Sequence, residues 1–107
     1  MFIELNKPHL VLPCAGTTAR RSHRILMVTK REAENSEDKE FVGQLELGFN
    51  KLSNNINPMI AAARNYAGQA TSTSAQQGFL SANSKILESV AVIKEALSDK
   101  CLKYFFF

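Results

Sequence analysis

The chain has 107 residues, of which 45% are hydrophobic and 21% are charged. These values are ordinary for a globular protein, and they exclude a chain that is disordered throughout. The length fits one small domain with a single core. The formal net charge of +3 is modest, so a general attraction to polyanions across the whole surface is not expected.

The N-terminus and the cysteines indicate where the protein works. The N-terminus lacks the basic start and the long apolar core of a signal peptide. The longest uninterrupted apolar runs of the sequence are far shorter than the roughly 18 residues that span a bilayer. Cys14 and Cys101 do not show the spacing of metal ligands. We therefore expect a soluble, cytoplasmic protein with reduced thiols.

The first predicted helix extends from Thr17 to about Glu34. Residues 1–13 precede it, contain two prolines and show no sustained period, so we expect an irregular lead-in there. Within the helix, small and apolar residues recur at spacings of three and four, which is typical of an amphipathic helix. They are Ser22, Leu26, Thr29 and Ala33, and Ile25 and Val28 widen the stripe.

The second predicted helix begins after Ser36, whose hydroxyl can accept a free backbone N–H as an N-cap. Glu37 and Asp38 place negative charge at the positive end of the helix dipole. Pro58 predicts a kink over residues 54–58. The apolar stripe follows a nearly unbroken three-four pattern. It comprises Phe41, Leu45, Phe49, Leu52, Ile56, Met59, Ala63 and Tyr66.

The third predicted helix follows Gly68 and a cluster of serines and threonines. Thr73 with Gln76, or Ser74 with Gln77, could form its capping box. The three-four spacing then continues almost to residue 98. The stripe comprises Phe79, Asn83, Ile86, Val90, Ile93 and Leu97. The sequence does not show the period-two alternation of a half-buried strand.

These elements predict an all-α, up-down antiparallel bundle of three long helices over residues 14–98, because short corners force neighbouring helices to run antiparallel. Residues 99–107 are expected to form an irregular tail. Three helices leave one side open, so the arrangement resembles an incomplete four-helix bundle. The lead-in, a partner chain or another part of a larger sequence could cover the gap.

Catalytic constellations are not apparent in the sequence. We find neither a nucleophile-base pair, nor a phosphate-binding glycine loop, nor metal-ligand spacing. His9 lies in the lead-in and His23 lies between arginines, so both are expected at the surface. The sequence therefore predicts a protein that is not an enzyme and has no cofactor or metal.

A basic patch on the first helix offers a second kind of function. Its members could bind phosphates in nucleic acid or at an anionic membrane. They lack interleaved aromatics for base stacking, and two glutamates follow at once, which favours an ordinary solvated helix face. The patch comprises Arg20, Arg21, Arg24, Lys30 and Arg31.

Three stretches of the sequence carry a resemblance to a known family. They are CAGTTARRSHRILMVTKREAENSED, LSNNINPMIAAARNYAG and GFLSANSKILESVAVIKEAL, and the similarity extends from about Leu10 to Ser98. They resemble the last head bundle of the vinculin and α-catenin superfamily, and within it the vinculin family. Pro58 lies where that family has its own helix proline.

The resemblance implies a cytoplasmic scaffold at adherens junctions and focal adhesions that links cell adhesions to actin. In that family this bundle packs against the tail in the closed, autoinhibited state. Asn35, Ser36 and Glu37 match the tail-contacting corner. The implied partners are helical: a vinculin-type tail bundle and the remaining head bundles. Actin would be reached only indirectly, membrane association would be peripheral, and nucleic-acid binding is not expected.

The sequence also departs from the family pattern. Lys39 replaces the usual proline, which removes a preset first-turn dihedral angle. The family's first bundle helix has no counterpart, and residues 101–107 stand where a proline-rich linker would begin. We therefore expect a fragment or an aberrant gene model that does not bind talin or actin through the family's usual sites.

The alternative function is a small basic helical module for nucleic acid or anionic lipid, and its salt response distinguishes it from the scaffold. Binding to phosphates should weaken steeply with salt and should be reduced when Arg20 and Arg24 are changed to Gln. Nucleic-acid binding that persisted after those changes would exclude this alternative.

Overall fold

The computed structural model describes residues 10–105, and it describes side chains for residues 10–98. It contains three helices in chain order: α1 (Val11–Glu34), α2 (Lys39–Gly68) and α3 (Thr73–Phe105). Strands are absent from the described part of the chain. The predicted all-α helical bundle is confirmed.

Helix α2 is the centre of the bundle, because α1 and α3 each pack along it and contact each other much less. Its stripe is sealed between them: Leu45, Leu52 and Met59 are fully buried. Phe79, Ile86 and Ile93 extend the same core from α3. The predicted stripe residue Phe49 is only partly buried, and Gly48 lies fully inside the stripe instead.

Pro58 lies inside α2 and does not end it. Near this point Asn55 Nδ2 donates to Lys51 O at 2.7 Å and to Ser89 Oγ of α3 at 3.4 Å. The buried Ser89 hydroxyl donates in turn to Lys85 O at 2.8 Å. These bonds form a polar connection between α2 and α3 within the core. The kink over residues 54–58 stays a prediction.

Both outer helices are longer than predicted. Helix α1 begins at Val11, so the irregular lead-in is wrong for residues 11–13, while residues 1–9 lie outside the described residues. Pro13 lies in the first turn, where its missing N–H would have no helical acceptor. Val11 is fully buried and ties this turn to the core.

Helix α3 continues to Phe105, so the irregular tail is wrong for residues 99–105. That segment contains neither Gly nor Pro to stop a helix. Residues 106 and 107 lie outside the described residues.

The start of α3 also differs from the prediction. Ser72 is its cap: Ser72 Oγ accepts from Ala75 N at 3.2 Å, and Ser72 O accepts from Gln76 N at 3.1 Å. The predicted capping boxes that start at Thr73 or Ser74 are therefore wrong. Both residues already lie inside the helix, where their amides belong to the first turn that a cap satisfies.

Candidate functional site

The predicted tail-contact residues form the corner between α1 and α2. The backbone N–H of Asn35 donates to Arg31 O at 3.1 Å, and that of Ser36 donates to Ala33 O at 3.4 Å. The chain thus leaves α1 through two hydrogen bonds to its last turn, which orients the corner relative to the helix.

Asp38, and not Ser36, caps α2. Asp38 has an extended backbone (φ −79°, ψ 102°) and accepts from Glu40 N at 3.1 Å and Phe41 N at 3.3 Å through Oδ1. The predicted Ser36 cap is wrong, because Ser36 lies three residues before the first helical residue. Its hydroxyl instead accepts from Asp38 N at 3.2 Å and closes a local turn. Ser36 therefore positions the capping residue.

The surface at this corner carries more acids than bases. Asn35 and Glu37 are exposed, and Ser36 is half-buried. Four exposed glutamates lie in the last two turns of α1, the corner and the first turn of α2, against three exposed cations. The glutamates are Glu32, Glu34, Glu37 and Glu40, and the cations are Lys30, Arg31 and Lys39. A basic partner therefore finds more attractive than repulsive charges here.

An open apolar depression of about 510 Å³ lies beside the corner, between the end of α1 and the start of α2. Ala33, Val42 and Phe49 supply its apolar surface, Glu34 and Glu46 add two carboxylates, and Lys30 adds one cation. We define this as the α1–α2 depression. A helix carrying an apolar side chain next to basic ones would complement both features.

The side chains of the basic patch do not converge on a common binding position. All five of its members are exposed. The helical spacing places Arg20, Arg24 and Arg31 on one face of α1, with Arg21 and Lys30 to either side. Arg20 Nη2 donates to Thr17 Oγ1 at 3.1 Å. The patch is a solvated stripe, and the structure does not build it into a phosphate site.

A second opening lies on the other side of α1, between α1 and α3. It measures about 450 Å³, and we define it as the α1–α3 groove. The sequence predicted an open side of the bundle but not the residues that line it. These are Arg24, Ile25, Val28 and Thr29 from α1 and Val90, Ile93, Lys94 and Leu97 from α3.

Of the two histidines, His23 is exposed and His9 lies outside the described residues. Clusters of His, Cys, Asp and Glu that could hold a metal ion were not found in that part of the chain. Its helices are too polar to cross a membrane.

Comparisons with known proteins agree with this architecture. A family model described as the Vinculin family matches residues 1–102. Vinculin from Rattus norvegicus is 39% identical over 94 residues, which cover 88% of this chain and 9% of the relative. Vinculin from Gallus gallus is also 39% identical, over 88% of this chain and 8% of its own length.

A more distant relative shows the same pattern. Vinculin from Oscarella pearsei is 33% identical over 85 residues, which cover 79% of this chain and 10% of the relative. The chain thus spans no more than a tenth of the length of these relatives. A family model that matches nearly the whole sequence and relatives above 30% identity lead to one conclusion: the chain belongs to the vinculin family.

Proposed function

We propose that this chain acts as an interaction bundle of a vinculin-type cytoskeletal adaptor, a non-catalytic scaffold that links cell adhesions to actin. The proposal rests on family membership. The scaffold would work in the cytoplasm at adherens junctions and focal adhesions. The chain would reach actin only through the rest of a longer adaptor.

Within this role, the corner formed by Asn35, Ser36 and Glu37 contacts a basic helical tail bundle and helps to hold the adaptor in a closed, autoinhibited state. The observation that carries this is the exposed acidic corner next to the α1–α2 depression. Glu37 supplies an exposed carboxylate, while the bonds of Ser36 and Asp38 fix the backbone that carries it.

The test is a titration of the chain with a purified vinculin-type tail bundle, at low and at moderate salt, for the native sequence and for Glu37→Lys. Because rim charges act mainly on orientation and association rate, we expect the variant to bind about three- to tenfold more weakly at low salt, and the difference to shrink as salt is added.

The matched control is Glu88→Lys, which makes the same charge change at an exposed position on α3, away from the corner. It should bind like the native chain. A cooperative thermal melt of all three proteins ensures that folding is not the variable. Equal binding by the native chain and Glu37→Lys would contradict the corner's role. If Glu88→Lys weakened binding as much as Glu37→Lys, the effect of Glu37→Lys would be explained by net charge and not by the corner.

A further inference from the structure

We propose that α1 docks on an anionic lipid bilayer through its outer face, the side of the helix that points away from α2. The face is made of residues that recur at spacings of four, four, three, four and four, which places them on one side of a helix. They are Leu12, Gly16, Arg20, His23, Met27 and Arg31. None of them belongs to the corner of Asn35, Ser36 and Glu37, so the inference is independent of the proposed tail contact.

The outer face exposes large apolar side chains. Met27 is 65% exposed, the highest value for a large apolar side chain among the described residues, and Leu12 is 46% exposed. The two lie about 22 Å apart along the helix axis. Neither belongs to the core of the bundle or lines the α1–α3 groove. The fold therefore leaves both free to enter an apolar phase outside the chain.

Cations surround the exposed methionine. Arg24 lies one turn before Met27. Lys30 and Arg31 lie one turn after it. Residues 10–31 contain five cations and neither aspartate nor glutamate. Apolar side chains set among arginines and lysines are typical of helices that lie in the interface of an anionic membrane.

These cations differ in how freely they face a membrane. Lys30 lies in the α1–α2 depression, where two carboxylates offset its charge. Arg20 lies far from those carboxylates in sequence. Its Nη2 donates to Thr17 Oγ1 at 3.1 Å, and its Nη1 lies 3.5 Å from the position that a Cβ would take at Gly16. The Arg20 guanidinium is thus held over the outer face, where lipid phosphates would meet it.

The acids at the end of α1 determine which part of the helix contacts the bilayer. Glu32 and Glu34 are exposed in its last turns, and Glu37 follows in the corner. An anionic surface repels these carboxylates. The contact therefore extends over residues 12–27, and the corner remains in water. A basic partner can still reach the corner while α1 lies on the membrane.

The same features favour a bilayer over a nucleic acid or a second copy of this chain. Cations alone would suit both a bilayer and a nucleic acid, since both present phosphates. A nucleic acid offers no apolar phase to Met27 and Leu12, and residues 10–34 contain neither Phe, Tyr nor Trp to stack on bases. A second copy would bring the cations of two outer faces together, which disfavours self-association.

The test is sedimentation of the full chain with vesicles of phosphatidylcholine that contain about 30% phosphatidylserine, against vesicles of phosphatidylcholine alone. Arg20→Gln with Arg24→Gln should weaken binding to the anionic vesicles about tenfold or more, because each basic residue near such a surface contributes about fivefold. The matched control, Lys51→Gln with Lys85→Gln, removes the same charge at exposed positions of α2 and α3. It should weaken binding by less than about threefold.

Met27→Gln tests the apolar contact alone, because it leaves the charge unchanged. It should weaken vesicle binding about three- to tenfold and leave any binding to duplex DNA unchanged. The matched control is Leu47→Gln, which removes an apolar side chain that is 52% exposed on α2. This control should bind vesicles like the native chain. Circular-dichroism melts establish that all variants are folded.

Methionine methyl NMR locates the contact on the native chain. In nanodiscs of the same anionic lipid mixture with a spin-labelled acyl chain, the Met27 methyl signal should be lost. The signal of Met59, which is fully buried in the core, should persist. The spectrum of Met27→Gln assigns the two signals.

Four results would overturn the proposal. They are equal binding to anionic and neutral vesicles, equal weakening by the two double variants, a Met27 signal that persists in the nanodiscs, and vesicle binding that does not change in Met27→Gln. If the last result came with DNA binding that required Arg20 and Arg24, the occupant would be a nucleic acid. Tail-bundle binding through Glu37 is measured separately and can fail or succeed without changing these outcomes.

Discussion

The stripe of α2 and the apolar side chains of the α1–α3 groove follow the same helical spacing but end in different environments. Leu52 and Met59 on α2 are 0% exposed, whereas Val28 and Leu87 at the groove are 50% exposed. Helix α2 has a neighbour on both sides, and the groove side of α1 and α3 does not. Spacing therefore identifies a face that requires a partner, while the arrangement of the other helices decides whether the chain supplies one.

The largest expected effect comes from placing a carboxylate in the buried stripe of α2. Leu52→Asp should unfold the bundle, at a cost above about 4 kcal/mol, because it buries an unpaired charge at a fully enclosed position. Circular-dichroism melts measure the effect. An unchanged melt for Leu52→Asp would contradict the assignment of the α2 stripe to the core.

Leu87→Asp is the matched control, since it makes the same change at a half-exposed position. The carboxylate can remain in water there, so we expect a change in stability within about 1 kcal/mol. Equal destabilisation by the two variants would mean that the groove is as closed as the α2 stripe. In that case the contrast between the two regions would fail.

A second comparison uses two glycines of α2. A Cβ at Gly48 would lie 2.6 Å from Ile93 Cγ1 and 3.3 Å from Ile93 N, so α2 and α3 would have to move apart. Gly48→Ala should therefore destabilise the bundle by about 1–3 kcal/mol through overpacking. Chemical denaturation measures this difference in the free energy of unfolding, provided that the m-value is unchanged.

Gly43→Ala serves as its control, because a Cβ there would meet nothing within 4 Å. Alanine stabilises a helix interior relative to glycine, so this variant should gain about 0.5–1 kcal/mol. Stability changes of opposite sign at the two positions would show that close packing limits the α2–α3 interface. A gain in stability at both positions would show that Ile93 moves aside at no cost in free energy.

Much of the fold could be predicted because it depends on local pattern. The stripe from Phe41 to Tyr66 continued through Pro58, and the predicted positions were buried apart from Phe49, which is only partly buried. The exact helix ends were harder, because an N-cap depends on backbone conformation as well as on side-chain chemistry. Ser36, Asp38, Ser72 and Thr73 are all acceptable caps by residue type, and the structure uses Asp38 and Ser72.

The candidate sites were predictable to different degrees. The corner of Asn35, Ser36 and Glu37 was identified only by resemblance, since its composition also fits an ordinary helix connection. The α1–α3 groove was expected as an open side, but its walls depend on how α1 and α3 rotate on α2. That rotation reflects close contacts such as Gly48 against Ile93, which lie far apart in sequence.

The smallest predicted effect concerns the N-cap of α2, which lies where the buried core meets the exposed corner. Asp38→Ala removes the carboxylate that accepts from Glu40 N and Phe41 N, so it should cost about 1 kcal/mol, whereas Asp38→Asn should largely retain the cap. Ser36→Ala removes one bond, to Asp38 N, and should cost less than Asp38→Ala. Thermal melts of the three variants give the ranking.

A larger loss of stability for Ser36→Ala than for Asp38→Ala would mean that Ser36, and not Asp38, is the main cap of α2. The predicted order has a consequence for binding. Asp38→Ala leaves Glu37 in place but loosens the backbone that carries it, so tail-bundle affinity should fall even where the chain remains folded. Unchanged affinity in folded Asp38→Ala would show that the carboxylate of Glu37 acts without a fixed corner, because a mobile rim charge can still attract a basic partner.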